Sequence, residues 1–356
     1  MRVQAFRRTF VLVFSIVFPL VVLLQVTWMY RESLPTISLR RQSLVETKLH
    51  CYGDDDCFPD IRSMNASDLN TNIKICQNQP EKRYGAQLRV ATVTAQFGQP
   101  EDHYKRALRT HLQHSLVHQS EVHVLCAEIV DDLWNKPAFI LELLLSEMEK
   151  PEDERLEWLF WVDRDTIILD NCRSASSFLP PAAKWPPSGD TQQADGVERP
   201  EINLVATKDW NGLNNGIFLL RVSRWSVDLF AAILALRYFR PGVELPFTEQ
   251  SAMAMLMQEF QFAKQVAWVP QWWFNAYPRP EEDFDEANLE LLEEHHARRG
   301  DFLVHFAGLG NRDEAMPVWL GVAEDESRQW SVGTPLRDVD SGIRQYWRGR
   351  VNAVRN

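Results

Sequence analysis

The sequence predicts an α/β domain with a mostly parallel sheet, standing behind an N-terminal membrane anchor and a polar stem. Three observations carry this expectation. Short apolar runs alternate with helix-periodic segments from about Leu88 onward, the pattern of βαβ units. The run L-F-W-V-D-R-D-T-I-I-L-D at 159–170 leads strand-forming residues into two carboxylates, Asp163 and Asp165. Phe10 to Tyr30 is an uncharged apolar stretch long enough to cross a bilayer.

The elements follow in chain order. Arg2, Arg7 and Arg8 precede the apolar run, and Trp28 and Tyr30 stand where interfacial aromatics belong. The run exceeds a typical signal-peptide core and no small-x-small cleavage site follows, which favours a single-pass anchor with a lumenal body. Residues 1–9 then form a cytoplasmic tail, 10–30 the anchor and 31–84 a lumenal stem without sustained periodicity. Asn65-Ala66-Ser67 is the sole glycosylation sequon. Five cysteines suit an oxidising compartment; a Cys51–Cys57 bridge is one of several open pairings. The net charge of −11 disfavours nucleic acid as a general partner.

A first strand is expected at L-R-V-A-T-V-T-A-Q-F from Leu88, a helix over 103–118, and a second strand at E-V-H-V-L-C-A. Another helix should begin at Pro137, followed by the strand that carries Asp163. Five prolines and two glycines at 180–200 predict a loop. The sheet resumes at 202–207, then a turn-rich segment D-W-N-G-L-N-N-G enters a strand. A helix covers about 223–239 and another starts at Thr248, taken as its N-cap. V-A-W-V-P at 266–270 and F-L-V-H-F-A-G at 302–308 are the last strands, and the chain from about Glu324 is charged and weakly patterned. The globular domain is placed at 85–323 and a tail at 324–356.

Residues two apart on a strand point the same way, so Asp163 and Asp165 should aim together at the carboxyl edge of the sheet. Such a pair repels itself unless a cation intervenes, and hard oxygens suit Mg²⁺, Mn²⁺ or Ca²⁺. His305, ending a strand, can add a third ligand. Asn211, Asn214 and Asn215, set among Gly212 and Gly216, offer amides suited to hydroxyl groups. Glu249 and Gln250 lie at a helix start, and Trp272 and Trp273 offer faces for a sugar ring or simply core.

In order, the segments A-T-V-T-A-Q-F-G, W-L-F-W-V-D-R-D-T-I-I-L-D, G-L-N-N-G-I-F-L-L-R, T-E-Q-S-A, V-P-Q-W-W-F-N-A-Y-P and G-D-F-L-V-H-F-A-G resemble glycosyltransferase family 34. That family comprises the Golgi galactosyl-, mannosyl- and xylosyltransferases of fungi and plants. The resemblance runs over about 88–322. It implies a single GT-A (Rossmann-like) catalytic domain, type II topology in the Golgi membrane, manganese dependence and retention of anomeric configuration. By motif match, Asp163, Asp165 and His305 would be the metal ligands. Asn214, Asn215 and Gly216 of the G-L-N-N-G turn, with Asp209 and Gly308, would face substrate. Glu249 and Gln250 would flank the reacting sugar carbon, Glu249 ranking ahead of Asp209 as the carboxylate. Thr248 departs from relatives that carry an acid there. Arg312 falls near a phosphate-binding lysine of some relatives, at a different spacing. The implied partners are a UDP- or GDP-linked donor, a glycan acceptor of mannan or cell-wall type, and homo- or hetero-oligomers with other Golgi transferases. An inverting transferase and a non-catalytic Golgi subunit are the competing readings.

Overall fold

A computed structural model describes residues 49–53, 76, 88–96, 101–181, 201–279, 293–324 and 337–355, all within one compact unit, Leu44–Asn356. The expected anchor at 10–30, the sequon at Asn65, Cys57 and the loop from 182 to 200 lie outside the described residues. Among the described residues no helix is long and apolar enough to cross a membrane.

In chain order the strands are β1 (Leu49–Tyr52), β2 (Val90–Ala95), β3 (Glu121–Leu125), β4 (Trp158–Val162), β5 (Thr166–Ile168), β6 (Leu204–Asp209), β7 (Gly212–Arg221), β8 (Val266–Val269) and β9 (Leu303–His305). The helices are α1 (Asp102–His118), α2 (Asn135–Glu149), α3 (Arg224–Phe239), α4 (Thr248–Leu256), α5 (Phe260–Ala263), α6 (Arg312–Glu324) and α7 (Val339–Arg355). Seven strands form one sheet in the order β1-β3-β2-β4-β7-β6-β8, and β5 pairs with β9 in a separate ribbon. The β1–β3, β3–β2, β2–β4 and β6–β8 pairs are parallel, whereas β7 runs antiparallel to both its neighbours. The sheet is therefore mostly parallel, as expected, with one reversed strand.

Alternation of side chains explains why β4 reads as an unbroken apolar run. Leu159 and Trp161 join a core with Phe139 and Leu143 of α2, Phe230 of α3 and Met253 of α4. Trp158, Phe160 and Val162 join the opposite core with Phe178, Trp273, Phe302 and Trp347. A strand covered on both faces has no polar side to show. The ribbon β5–β9 packs through Ile167 and Val304 between Tyr104 and Ala107 of α1 and Trp319 and Leu320 of α6.

Two boundaries differ from the sequence reading. β1 falls inside the segment taken as stem, yet it pairs with β3 in register from Leu49↔Val122 to Tyr52↔Leu125. The segment after Glu324 is no loose tail, because it holds the helix α7. Its Val339, Ile343 and Trp347 are buried in the second core, the two aliphatic side chains contributing about 1.5–3 kcal/mol each. Arg173, itself buried, binds Asp340 at 3.0 Å and ties α7 to the segment after β5. A Cys76–Cys172 disulfide fixes that same segment.

Candidate active site

The D-x-D sits in the turn between β4 and β5 rather than on a strand, so strand alternation is not what makes its carboxylates converge. The turn itself gathers the two carboxylates. Asp163 N–H donates to Gly216 O at 2.8 Å, Thr166 Oγ1 donates to Asp163 O at 2.8 Å, and Phe306 N–H donates to Asp165 O at 3.0 Å. Trp161 Nε1 donates to Asp163 Oδ1 at 2.8 Å. The Thr166↔His305 register of the ribbon then brings His305 beside the turn. One ligand atom from each of Asp163, Asp165 and His305 lies within 4.8 Å of the others.

His305 is oriented by its neighbours. Asn275 Nδ2 donates to Thr207 Oγ1 at 2.7 Å, so its Oδ1 accepts from His305 Nδ1–H at 2.7 Å. That hydrogen bond leaves Nε2 with its lone pair, 3.5 Å from Asp165 Oδ1. A ring nitrogen held in this way beside two carboxylates fits a divalent metal. Burial alone would raise the pKa of Asp165, but His305 in its charged form and the Arg312 guanidinium hold it well below the usual carboxylate range. Arg312, at the start of α6, donates to Asp165 Oδ2 at 2.7 Å and to Phe306 O at 3.1 Å.

Gly216 explains the G-L-N-N-G turn in steric terms. A Cβ built there would stand 2.3 Å from His305 Cε1 and 2.9 Å from Nε2, so only glycine admits the imidazole. Asn214 Oδ1 accepts from Gly216 N–H, while its Nδ2 donates to Asp209 Oδ2 at 3.0 Å and to Tyr277 Oη at 2.8 Å. Tyr277 donates to Asp209 Oδ2 at 2.6 Å; burial first, then this carboxylate, raises its pKa and keeps the phenol protonated.

Lys136 was not singled out by the sequence. It opens α2, and its Nζ lies 3.1 Å from Asp163 Oδ1 and 3.3 Å from Glu249 Oε1, donating also to Asn215 O and Oδ1 at 3.2 Å. Burial opposes its charge, but the two carboxylates outweigh burial and raise its pKa. Glu249 is buried in the first turn of α4; Asn215 Nδ2 donates to its Oε1 at 3.3 Å, and its Oε2 has no hydrogen-bond partner. Gln250 Oε1 accepts from Asn215 N–H at 3.1 Å, so Gln250 holds the turn. A lone lysine at a helix start carries no pattern; only the partners it meets in space reveal it.

The remaining expected residues divide. Asp209, Asn214, Asn215 and Gly216 join the site. Asn211 N–H donates to Asp209 Oδ1 in the exposed hairpin turn, and Gly308 supplies a backbone with φ +68°. Thr248 is not an N-cap: it is the first helical residue at φ +47°, and Ser251 Oγ accepts from Phe247 N–H instead. Trp272 and Trp273 are buried at 8% and 0% exposure against α7, so neither offers a face to a sugar. Among the described residues a second three-ligand group, His50, Glu121 and His123, lies at the amino end of β3, the opposite edge of the sheet.

Fold and site together define an α/β protein with a candidate divalent-metal centre at the carboxyl edge of its sheet. The chain belongs to the galactosyl transferase GMA12/MNN10 family, whose profile matches residues 104–315. It is 27% identical over 234 residues to probable glycosyltransferase 3 of Oryza sativa subsp. japonica, covering 58% of this chain and 46% of that protein. It is 26% identical to xyloglucan 6-xylosyltransferase 4 of Arabidopsis thaliana, over 57% of this chain and 40% of the relative. An uncharacterized α-1,2-galactosyltransferase of Schizosaccharomyces pombe is 24% identical over 57% of this chain and 61% of its own length. The chain spans about half the length of the plant relatives it matches.

Proposed function

We propose that this chain is a retaining glycosyltransferase of GT-A type that moves a hexose, galactose or mannose, from a UDP- or GDP-linked donor to a glycan acceptor with Mn²⁺. One observation carries the reading: Lys136 bridges Asp163 of the candidate metal centre and the buried Glu249, so metal ligands and a carboxylate with an unpaired oxygen share one site. A pure scaffold has no physical need for that arrangement. The family and relatives named as galactosyl- and xylosyltransferases support glycosyl transfer.

Asp163, Asp165 and His305 would hold the metal, which supplies Lewis-acid neutralisation of the donor diphosphate. The residues do the rest. As the bond from sugar carbon to phosphate oxygen breaks, its electron pair leaves with the phosphate and the carbon becomes oxocarbenium-like. Glu249 Oε2 stabilises that charge or traps it as a glycosyl ester, while Lys136 holds Glu249 in place through Oε1. The acceptor oxygen then bonds to the carbon on the face the phosphate left, any ester bond to Glu249 breaking with its electron pair returning to Oε2, and the acceptor proton passes to a phosphate oxygen. Asn215 and Gln250 hold the turn, and Asp209 and Asn214 offer hydrogen bonds to hydroxyl groups.

The apolar run at 10–30 supports a type II anchor with this domain in the Golgi lumen, and the Cys76–Cys172 disulfide suits such an oxidising compartment. The test is a panel of UDP- and GDP-linked galactose, mannose, glucose and xylose, scored for Mn²⁺-dependent hydrolysis and transfer. The reading expects turnover of at least one hexose donor with a retained anomer by NMR. No turnover of any donor sinks it, and an inverted product sinks retention.

A further inference from the structure

β6 and β7 are joined by the two-residue turn Trp210–Asn211, and Trp210 is the one exposed tryptophan among the described residues, at 72%. A large aromatic surface left in water gives up the stabilisation that burial would bring, so its placement calls for a reason. The turn that presents it is rigid. Asp209 Oδ1 accepts from Asn211 N–H at 2.7 Å, Asp209 Oδ2 accepts from Tyr277 and Asn214, and Gly212 closes the turn at φ +100°. Trp210 touches Tyr277 edge-on at 5.2 Å and His295 at 6.0 Å, contacts that leave most of the ring open. Tyr277 in turn packs against His305 at 6.1 Å between ring centroids. A single aromatic ring therefore separates Trp210 from a residue of the candidate metal centre.

We propose that Trp210 is the stacking platform of an acceptor subsite, taking a pyranose residue of an oligosaccharide on its open face. A pyranose presents a patch of C–H groups on one face and hydroxyls at its rim. A flat, preorganised indole matches the patch, with two rotatable side-chain bonds and little ordering cost. His295 packs beside the ring and Asn211 follows it in the exposed turn, two polar groups suited to rim hydroxyls. Asp209, the carboxylate of this turn, makes it a poor seat for a phosphate and a suitable one for a neutral sugar. The subsite deepens the transferase reading and rests on it, yet it is testable by binding alone.

The experiment compares the full chain with Trp210→Ala and Trp210→Phe. Binding of mannopentaose and cellopentaose is measured by calorimetry, alongside acceptor-free donor hydrolysis and, for whichever donor turns over, transfer kinetics. Trp210→Ala should raise the acceptor Kd and KM about 30-fold, as for an aromatic hot spot, while donor KM and acceptor-free hydrolysis stay unchanged. Trp210→Phe should recover most of the loss. An unchanged acceptor Kd and KM overturns the subsite even if transfer is robust. A shift in donor KM instead assigns the ring to the nucleotide base and also overturns it. Oligosaccharide binding that depends on Trp210 in a protein without turnover keeps the subsite and removes the transferase reading. Neither binding nor turnover removes both.

Discussion

Lys136 Nζ lies 3.3 Å from Glu249 Oε1, and both side chains are buried, at 11% and 4% exposure. A buried ion pair depends on both members, since removing one strands the other's charge in a medium that solvates it poorly. Lys136→Met should therefore destabilise the fold by about 3 kcal/mol and abolish turnover. Lys136→Met combined with Glu249→Gln should recover much of the stability but none of the activity. Denaturant unfolding of the two singles and the double variant gives the coupling directly.

The Gly216→Ala variant tests the steric role of the G-L-N-N-G turn. Its Cβ would meet His305 at 2.3 Å, so the imidazole must leave its position. The expected outcome is loss of Mn²⁺ affinity and activity in a protein that remains folded by circular dichroism. A variant with wild-type Mn²⁺ affinity would show that His305 has room the structure does not give it.

Stability should depend on pH through two histidines of α1. His111 and His114 are buried, with Nε2 bonded to Thr166 O and Oγ1 and to Arg173 O respectively. Burial pushes their pKa values down to about 3 and about 4, from an ordinary 6.5. The unfolded chain thus binds more protons than the folded one between those limits, and stability falls as pH falls through that window. Near pH 5 unfolding should take up about two protons from this pair. His114→Gln, which keeps a donor for Arg173 O, should reduce the uptake to about one, measured from urea midpoints between pH 7 and pH 4.5.

Cys172→Ser should cost about 2–5 kcal/mol, because the Cys76–Cys172 bond closes a separation of 96 residues. Dithiothreitol should lower the thermal midpoint of the parent protein by more than that of the variant, which keeps the disulfide at Cys126.

Much of this arrangement is legible in the chain. Continuous apolar runs such as W-L-F-W-V mark strands buried on both faces, and helix spacing over 103–118 gives α1 almost to the residue. Asp163, Asp165 and His305 were reachable from residue chemistry and motif order, and the structure gathers them. Other features leave no local trace. β1 is only four residues long and gains its stability from pairing with β3, not from its own pattern. Lys136 acquires meaning only through carboxylates 27 and 113 positions away. The polar face of α7 masks a core face of Val339, Ile343 and Trp347. Trp272 and Trp273 carry the same local pattern as sugar-stacking residues, and only the distant helix α7 makes them core.

Asp163, Asp165 and His305 are proposed to act as one metal site. Mn²⁺ titration followed by electron paramagnetic resonance tests it most directly, on the parent protein and on Asp163→Ala, Asp165→Ala and His305→Ala. One tightly bound Mn²⁺ per chain is expected in the parent and its loss in every variant, with the folded state retained. Full Mn²⁺ binding by His305→Ala, or by either aspartate variant, would contradict it.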